Sequence, residues 1–322
     1  MRLAVIVPAP TLQLGGVQRF ATELVRALGA HADVVPFRVH PAGGQSRVRA
    51  AIDGWSALRT AHRADRFDAV LTTFHWPARL WPVPTYGVVH DLRPWRQSPR
   101  WHPRLVAQRL VCSTWQATLV PSAHVGEDVE RLLGGPRVLE IGEGADHLPL
   151  VPAQHPRDRI VVLGGRAAHK RVALGAAAAA TAARRLGCGP PVVVGGAAQS
   201  LPADVERMTS PSDQELAALF ARARVAVAAT AYEGFGLAVA EALHAGVPVV
   251  WCRDSTLGAL VGDGGVCAAP EVTALTEAVL RAWAHGAELV RAAQQAVSPH
   301  TWDATAQRVM AAVTSGVRTS PT

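Results

Sequence analysis

Tyr232-Glu233-Gly234-Phe235-Gly236-Leu237-Ala238-Val239-Ala240-Glu241-Ala242-Leu243-His244-Ala245-Gly246-Val247-Pro248-Val249-Val250 is the stretch whose reading decides the fold. Just before it, residues 225–229 form an unbroken apolar run, the mark of a strand buried on both faces. Glu233-Gly234-Phe235-Gly236 predicts a tight loop, because glycine takes backbone angles that side chains forbid. A helix follows over 236–244, and 247–251 returns as a second buried strand. Strand, loop, helix, strand is the repeating unit of a parallel α/β sheet. The first turn of such a helix leaves N–H groups and a partial positive charge aimed at the loop, a ready seat for a phosphate.

The alternation extends outward from this stretch. Towards the N-terminus, strands are expected at 3–7, 34–39, 68–71, 86–89, 118–120 and 138–141, with helices at 17–28, 48–62 and 124–133. The pattern restarts after the polar, proline-bearing stretch Val151-Pro152-Ala153-Gln154-His155-Pro156-Arg157, which reads as a linker. Strands at 160–163 and 191–194 and a helix at 213–223 then lead back to 225–251. A last amphipathic helix covers 302–313. The fold class expected is therefore α/β, with two Rossmann-like domains in tandem across a cleft: residues 1–152, joined by a C-terminal helix at 303–322, and residues 153–302.

Composition narrows the class. The chain has 322 residues, 49% hydrophobic and 18% charged, enough to bury sizeable cores. Its four cysteines have no ligand-like spacing, so neither a disulfide framework nor a zinc site is expected. The opening apolar run is too short for a signal peptide and no stretch has the length of a membrane span, so a cytoplasmic protein is expected. The formal charge of +7 is spread over the chain rather than gathered in a tail. That points away from nucleic acid and leaves an anionic lipid or a phosphorylated ligand as the anion.

Glu233 and Glu241 stand eight positions apart around the glycine loop. A capping glutamate and a solvated helix glutamate would also explain them singly; the loop between favours a site. Glu241, among Ala240, Ala242 and Leu243, needs hydrogen-bond donors, and ribose hydroxyls are suitable ones. Gly164-Gly165-Arg166-Ala167-Ala168-His169-Lys170-Arg171 follows a strand and opens a helix. Arg166 and Lys170, four apart, can converge on a diphosphate and neutralise charge on a departing phosphate. Gln13-Leu14-Gly15-Gly16-Val17-Gln18 is a weaker glycine turn, with neither a dinucleotide fingerprint nor a P-loop lysine. His90-Asp91 closes a strand and can face sugar or acceptor, although a structural histidine is a serious rival. Asp91-Leu92-Arg93-Pro94-Trp95-Arg96-Gln97-Ser98-Pro99-Arg100-Trp101-His102-Pro103-Arg104 is basic, aromatic and proline-rich, so a loop is expected there. It suits stacking on an acceptor, contact with an anionic membrane surface, or mere exposure.

Taken together, these residues resemble glycosyltransferase family 4, of the so-called B fold. The resemblance rests on Glu233 and Glu241 in E-x-x-x-x-x-x-x-E, on Arg166 and Lys170, on Gly15-Gly16 and on His90. It covers nearly the whole chain, although Gly142-Glu143-Gly144-Ala145-Asp146 stands where an asparagine-glycine version is usual. It implies a retaining, metal-independent transfer from a nucleoside-diphosphate sugar to a small-molecule hydroxyl, without cofactor; the composition, like that of a high-GC bacterium, and the short form suit a tailoring enzyme of bacterial natural-product biosynthesis. Arg166 and Lys170 would hold the leaving diphosphate and Glu233 the donor sugar. Gly15, Gly16, Gly234, Phe235, Gly236 and Leu237 would line the donor, with Glu241 on the ribose. His90, with Asp91, Arg93 and Trp95, would meet the acceptor. The readings kept beside this are a cell-envelope glycan or glycolipid transferase, an inactive nucleotide-sugar binder, and an epimerase or phosphorylase.

Overall fold

Among the described residues of the computed structural model all the strand pairs are parallel, in two six-stranded sheets. The structure describes residues 1–9, 15–39, 47–74, 83–135, 137–152, 156–197 and 200–317. The chain forms two compact units, Met1–Glu143 with Trp302–Thr322, and Gly144–Thr301.

The first unit runs β1 (Arg2–Pro8), α1 (Gly16–Leu28), β2 (Asp33–Val39), α2 (Arg47–Ala64), β3 (Ala69–Thr72), β4 (Thr85–Val88), α3 (Pro103–Cys112), β5 (Ala117–Val120), α4 (Ala123–Leu132) and β6 (Val138–Glu140). Its strand order is β2-β1-β3-β4-β5-β6. The central strands are buried along nearly their whole length, as sheets covered by helices on both faces require; Leu3, Ala4, Val5, Val70 and Leu71 are all fully buried. The winding reverses between β1 and β3, which opens a crevice beyond their carboxyl ends.

The second unit runs β7 (Arg159–Gly165), α5 (Val172–Leu186), β8 (Val192–Ala197), β9 (Glu206–Met208), α6 (Asp213–Arg222), β10 (Ala223–Ala228), α7 (Leu237–His244), β11 (Val249–Cys252), α8 (Gly258–Val261), β12 (Gly265–Ala268), α9 (Val272–Ala284) and α10 (Gly286–Val297). The order β12-β11-β10-β7-β8-β9 puts its switch point between β7 and β10. The alanines of α5 are small enough to let it pack closely against α9 and the sheet, in one core with Val162, Val227 and Ala278. The capping box between Ser212 and Glu215 fixes where α6 begins.

The final helix, α11 (Trp302–Val317), belongs to the first unit. Trp302 is buried with its ring edge-on to Phe20 at 5.8 Å. The Tyr86 hydroxyl donates to the Val313 carbonyl at 3.2 Å, and Arg308 donates to the Ile141 carbonyl at 3.1 Å.

Four expectations are corrected. The joint precedes 151–157: Ala145 already donates to the His300 carbonyl at 3.0 Å and lies in the second unit's core with Leu148. The segment 91–104 is only partly loop. Arg93–Trp95 makes a 3-10 turn, and Pro103 opens α3 at the first helical position, where proline's missing N–H and fixed φ do no harm. Arg166 and Lys170 share no helix, because α5 starts only at Val172, after a 3-10 turn at Ala168–Lys170. The last helix begins one residue earlier than 303 and is described to Val317; Gln13, Leu14 and residues 318–322 lie outside the described residues. Strands β9 and β12 and helices α8, α9 and α10 had no counterpart in the sequence reading.

Candidate functional site

The second unit's switch point brings together the chemistry that its sequence suggested. After β7 the chain turns through Arg166 and the 3-10 turn that carries Lys170; after β10 it turns through Glu233. The Lys170 ammonium donates to both carboxylate oxygens of Glu233, at 2.6 and 2.7 Å. Gly165 makes room for this, since a Cβ there would stand 3.0 Å from Lys170 Cγ. Both side chains are largely but not wholly buried, 26% and 15% exposed. An ammonium has three donors, so two held by Glu233 leave a third for an incoming oxygen. Arg166 is exposed and lies along Gly196, where a Cβ would come within 2.8 Å of its Cγ.

The loop after β10 is pinned at both ends. The Glu233 N–H donates to Thr256 Oγ1 and the Thr256 hydroxyl donates back to the Glu233 carbonyl, both at 2.8 Å. Gly236 caps α7 with φ +101°, an angle that side chains rarely adopt, and a Cβ there would strike Leu257 at 2.6 Å. The Val239 and Ala240 N–H groups both go to the Gly236 carbonyl. The earlier amides, Leu237 and Ala238, therefore have no partner within the helix and point with its dipole towards the loop. Phe235 is buried, edge-on to His300 at 5.2 Å. Next to this loop Arg171 forms a bidentate pair with Asp254 at 2.9 and 2.7 Å, which holds the Asp254 carboxyl below its ordinary pKa.

Glu241 is buried, as its apolar neighbours suggested, and its donor comes from the protein. His147 Nε2 lies 3.0 Å from Glu241 Oε1, and the His147 side chain is 1% exposed. A carboxylate has two oxygens, and this contact occupies one of them. His244, on the same helix, has its pKa lowered, chiefly by burial and slightly by His147, against an opposing pull from Asp146. His147, Thr256 and the Arg171–Asp254 pair were missed in the sequence. His147 directly follows the Gly142–Asp146 departure, but nothing in the spacing ties it to a residue 94 positions on.

In the first unit the candidates are satisfied locally. His90 Nε2 lies 2.8 Å from the Thr73 carbonyl, which only accepts, so this nitrogen carries a hydrogen. His90 Nδ1 is 3.4 Å from Glu143 Oε1, and the ring sits edge-on to Phe20 at 4.6 Å. Asp91 Oδ1 accepts from the Arg93 N–H and caps the 3-10 turn, while Trp95 packs beside His102 in the core around Leu105. Gly15 caps α1, its carbonyl accepting from Gln18 and Arg19, and Gly15, Gln18, Arg19 and Thr22 line a shallow depression of ≈ 280 Å³.

Comparison with known proteins gives these arrangements a context. Residues 145–285 match the family described as Glycosyl transferases group 1. Over 70 residues the chain is 43% identical to the O-antigen chain mannosyltransferase B of Escherichia coli, a match covering 21% of this chain and 18% of that protein. The chain thus spans less than a fifth of that curated relative. Sucrose-phosphate synthase from Thermosynechococcus elongatus aligns with a TM-score of 0.76 at 17% identity, over 99% of this chain and 100% of the other. HepE from Anabaena, solved in complex with UDP and glucose, aligns with a TM-score of 0.69 at 14% identity, over 98% and 100%. At such identities these two show fold alone. Residues 145–285, which carry Lys170, Glu233 and Glu241, match the glycosyl transferases group 1 family, and the chain as a whole shares with these two structures the two-unit GT-B fold.

Proposed function

We propose that the chain is a retaining, metal-independent glycosyltransferase that moves a hexose from a nucleoside-diphosphate sugar to the hydroxyl of a small-molecule acceptor. One observation carries this: the Lys170–Glu233 pair and the His147–Glu241 pair flank the capped start of α7 at the second unit's switch point. The diphosphate is assigned to the Leu237 and Ala238 amides and to Lys170, with Arg166 reaching in from the β7 turn. Cations and oriented amides at the leaving group do the work that a bound metal does elsewhere. The second Glu241 oxygen accepts from a ribose hydroxyl, and Glu233 accepts from hydroxyls of the donor sugar. The acceptor oxygen forms its bond to the anomeric carbon on the face from which the phosphate leaves. As the carbon–oxygen bond to the β-phosphate breaks, the acceptor proton passes to the departing phosphate oxygen. The acceptor is assigned to the first unit, where His90 follows β4.

GDP-mannose and UDP-glucose are the first donors to test, since one relative is named a mannosyltransferase and HepE was solved with UDP and glucose. The chain is incubated with GDP-, UDP-, dTDP- and ADP-sugars and the released nucleoside diphosphate is measured. Release from one donor class, abolished in Lys170→Ala, is the expected result. Failure to bind any of the four diphosphates would overturn the proposal.

A further inference from the structure

The segment from Asp91 to Thr114 has a surface that the donor chemistry leaves unused. Helix α3 turns Leu105 and Cys112 into the core. At 100° per residue, Pro103, Val106, Ala107 and Leu110 fall on the opposite side. There Leu110 is 66% exposed and Val106 38%, and Trp101, just before the helix, is 75% exposed. A helix that is apolar on its solvent side as well as its core side has more hydrophobic surface than its own fold uses.

Within the segment the charge is nearly all of one sign, while the neighbouring helix α4 brings Asp128, which takes Arg96 at 3.5 Å, and the exposed Glu127 and Glu130. The segment holds Arg93, Arg96, Arg100, Arg104 and Arg109 against a single carboxylate, Asp91. Arg104 and Arg109 flank the strip, one on each side. The Arg109 guanidinium donates to the Leu132 and Arg100 carbonyls, at 2.7 and 2.9 Å, and Arg100 donates to the Arg131 carbonyl at 2.6 Å. Bonds to carbonyls fix these side chains in place without neutralising them. Exposed tryptophan and leucine edged by fixed arginines match the boundary of a bilayer with anionic headgroups, where the indole sits among the headgroups and the guanidinium meets phosphate. No helix among the described residues is long and apolar enough to cross a membrane, so the contact is peripheral.

We propose that Trp101, Val106 and Leu110, flanked by Arg104 and Arg109, form a docking face for an anionic lipid surface. This stands apart from the donor assignment, because none of these residues takes part in it. It favours a membrane-borne acceptor over a freely diffusing one.

The test is co-sedimentation of the full chain with phosphatidylglycerol–phosphatidylcholine vesicles and with phosphatidylcholine vesicles alone. Binding only to the anionic vesicles, weakened by added salt, is expected. The double substitution Trp101→Ser and Leu110→Ser should weaken it by about tenfold, and Arg104→Glu by severalfold, since both the buried apolar area and the basic charge contribute. These positions are exposed, so the variants should melt like the parent chain. No binding to anionic vesicles, or equal binding after the double substitution, would overturn the proposal. So would a dimer in light scattering that the same double substitution dissolves while vesicles are ignored, since the face would then be a contact between copies of the chain.

Discussion

Both units are doubly wound parallel sheets, of strand order β2-β1-β3-β4-β5-β6 and β9-β8-β7-β10-β11-β12, and they furnish the ends of their strands differently. At the end of β7 and β10, charged side chains meet in pairs with capacity to spare: Lys170 has a third donor beyond Glu233, and Glu241 a second oxygen beyond His147. At the end of β3 and β4, His90 is engaged at both ring nitrogens, and Asp91 serves the adjacent turn. The second unit's switch point is prepared for an anion, while the strand ends that carry His90 are knit into the first unit's own fold.

The largest expected effect lies in the charged pair. Lys170→Ala and Glu233→Gln should each lower turnover by roughly 10²–10³, the usual loss when a preorganised charge at the leaving group is removed. Because the two side chains touch, the double variant should lose little more than the worse single one; full additivity in initial rates would show that they act separately.

Next comes the buried pair. Glu241→Ala should weaken nucleoside diphosphate binding by about tenfold or more, as expected for a lost hydrogen bond to a charged group. His147→Ala should weaken it less, and His147→Gln, which keeps an N–H donor, should recover most of the affinity. Calorimetric titration checks this, and a His147→Gln variant no better than His147→Ala would contradict the clamp.

The first unit is sharpened by stability rather than turnover. In Gly316→Ala the new Cβ would stand 1.9 Å from the Tyr86 hydroxyl, and Tyr86 is 1% exposed and cannot swing away. The clash should outweigh the ordinary helical gain of alanine and cost roughly 1–3 kcal/mol in urea unfolding. An unchanged midpoint would mean that α11 is held less tightly than its contacts imply.

The smallest effect is a pH dependence. Burial lowers the His244 pKa below its ordinary 6.5, so the unfolded chain binds this proton more readily than the folded one. Stability is therefore full above pH 6.5 and falls as pH drops from there towards the folded value. His244→Gln should flatten that part of the curve of melting temperature against pH; an unchanged slope would assign it to another group.

The same contrast explains what was legible in the sequence. Buried parallel strands announce themselves as apolar runs, so β1, β7, β10 and β11 could be placed within a few residues. Strands β9 and β12 are short and lie at the outer edges of their sheet; Glu206-Arg207-Met208 carries no such pattern. Glu233, Glu241 and Lys170 stood out because glycines next to them marked a turn at a strand's end. Their mutual pairing did not, because contacts such as Lys170–Glu233 span 63 positions and depend on which strands are neighbours. His147 is illegible for the same reason. The basic, proline-bearing segment read as a loop because Pro103 was counted as a breaker, when at a helix's first position it is a starter.

The most direct measurement is a crystal structure of the chain with a bound nucleoside diphosphate. The account expects the diphosphate on the Leu237 and Ala238 amides within hydrogen-bond reach of Lys170, and the ribose on Glu241 with His147 still in place. A ligand seated elsewhere, or one bound at α7 with Lys170 and Glu241 turned away from it, would contradict it.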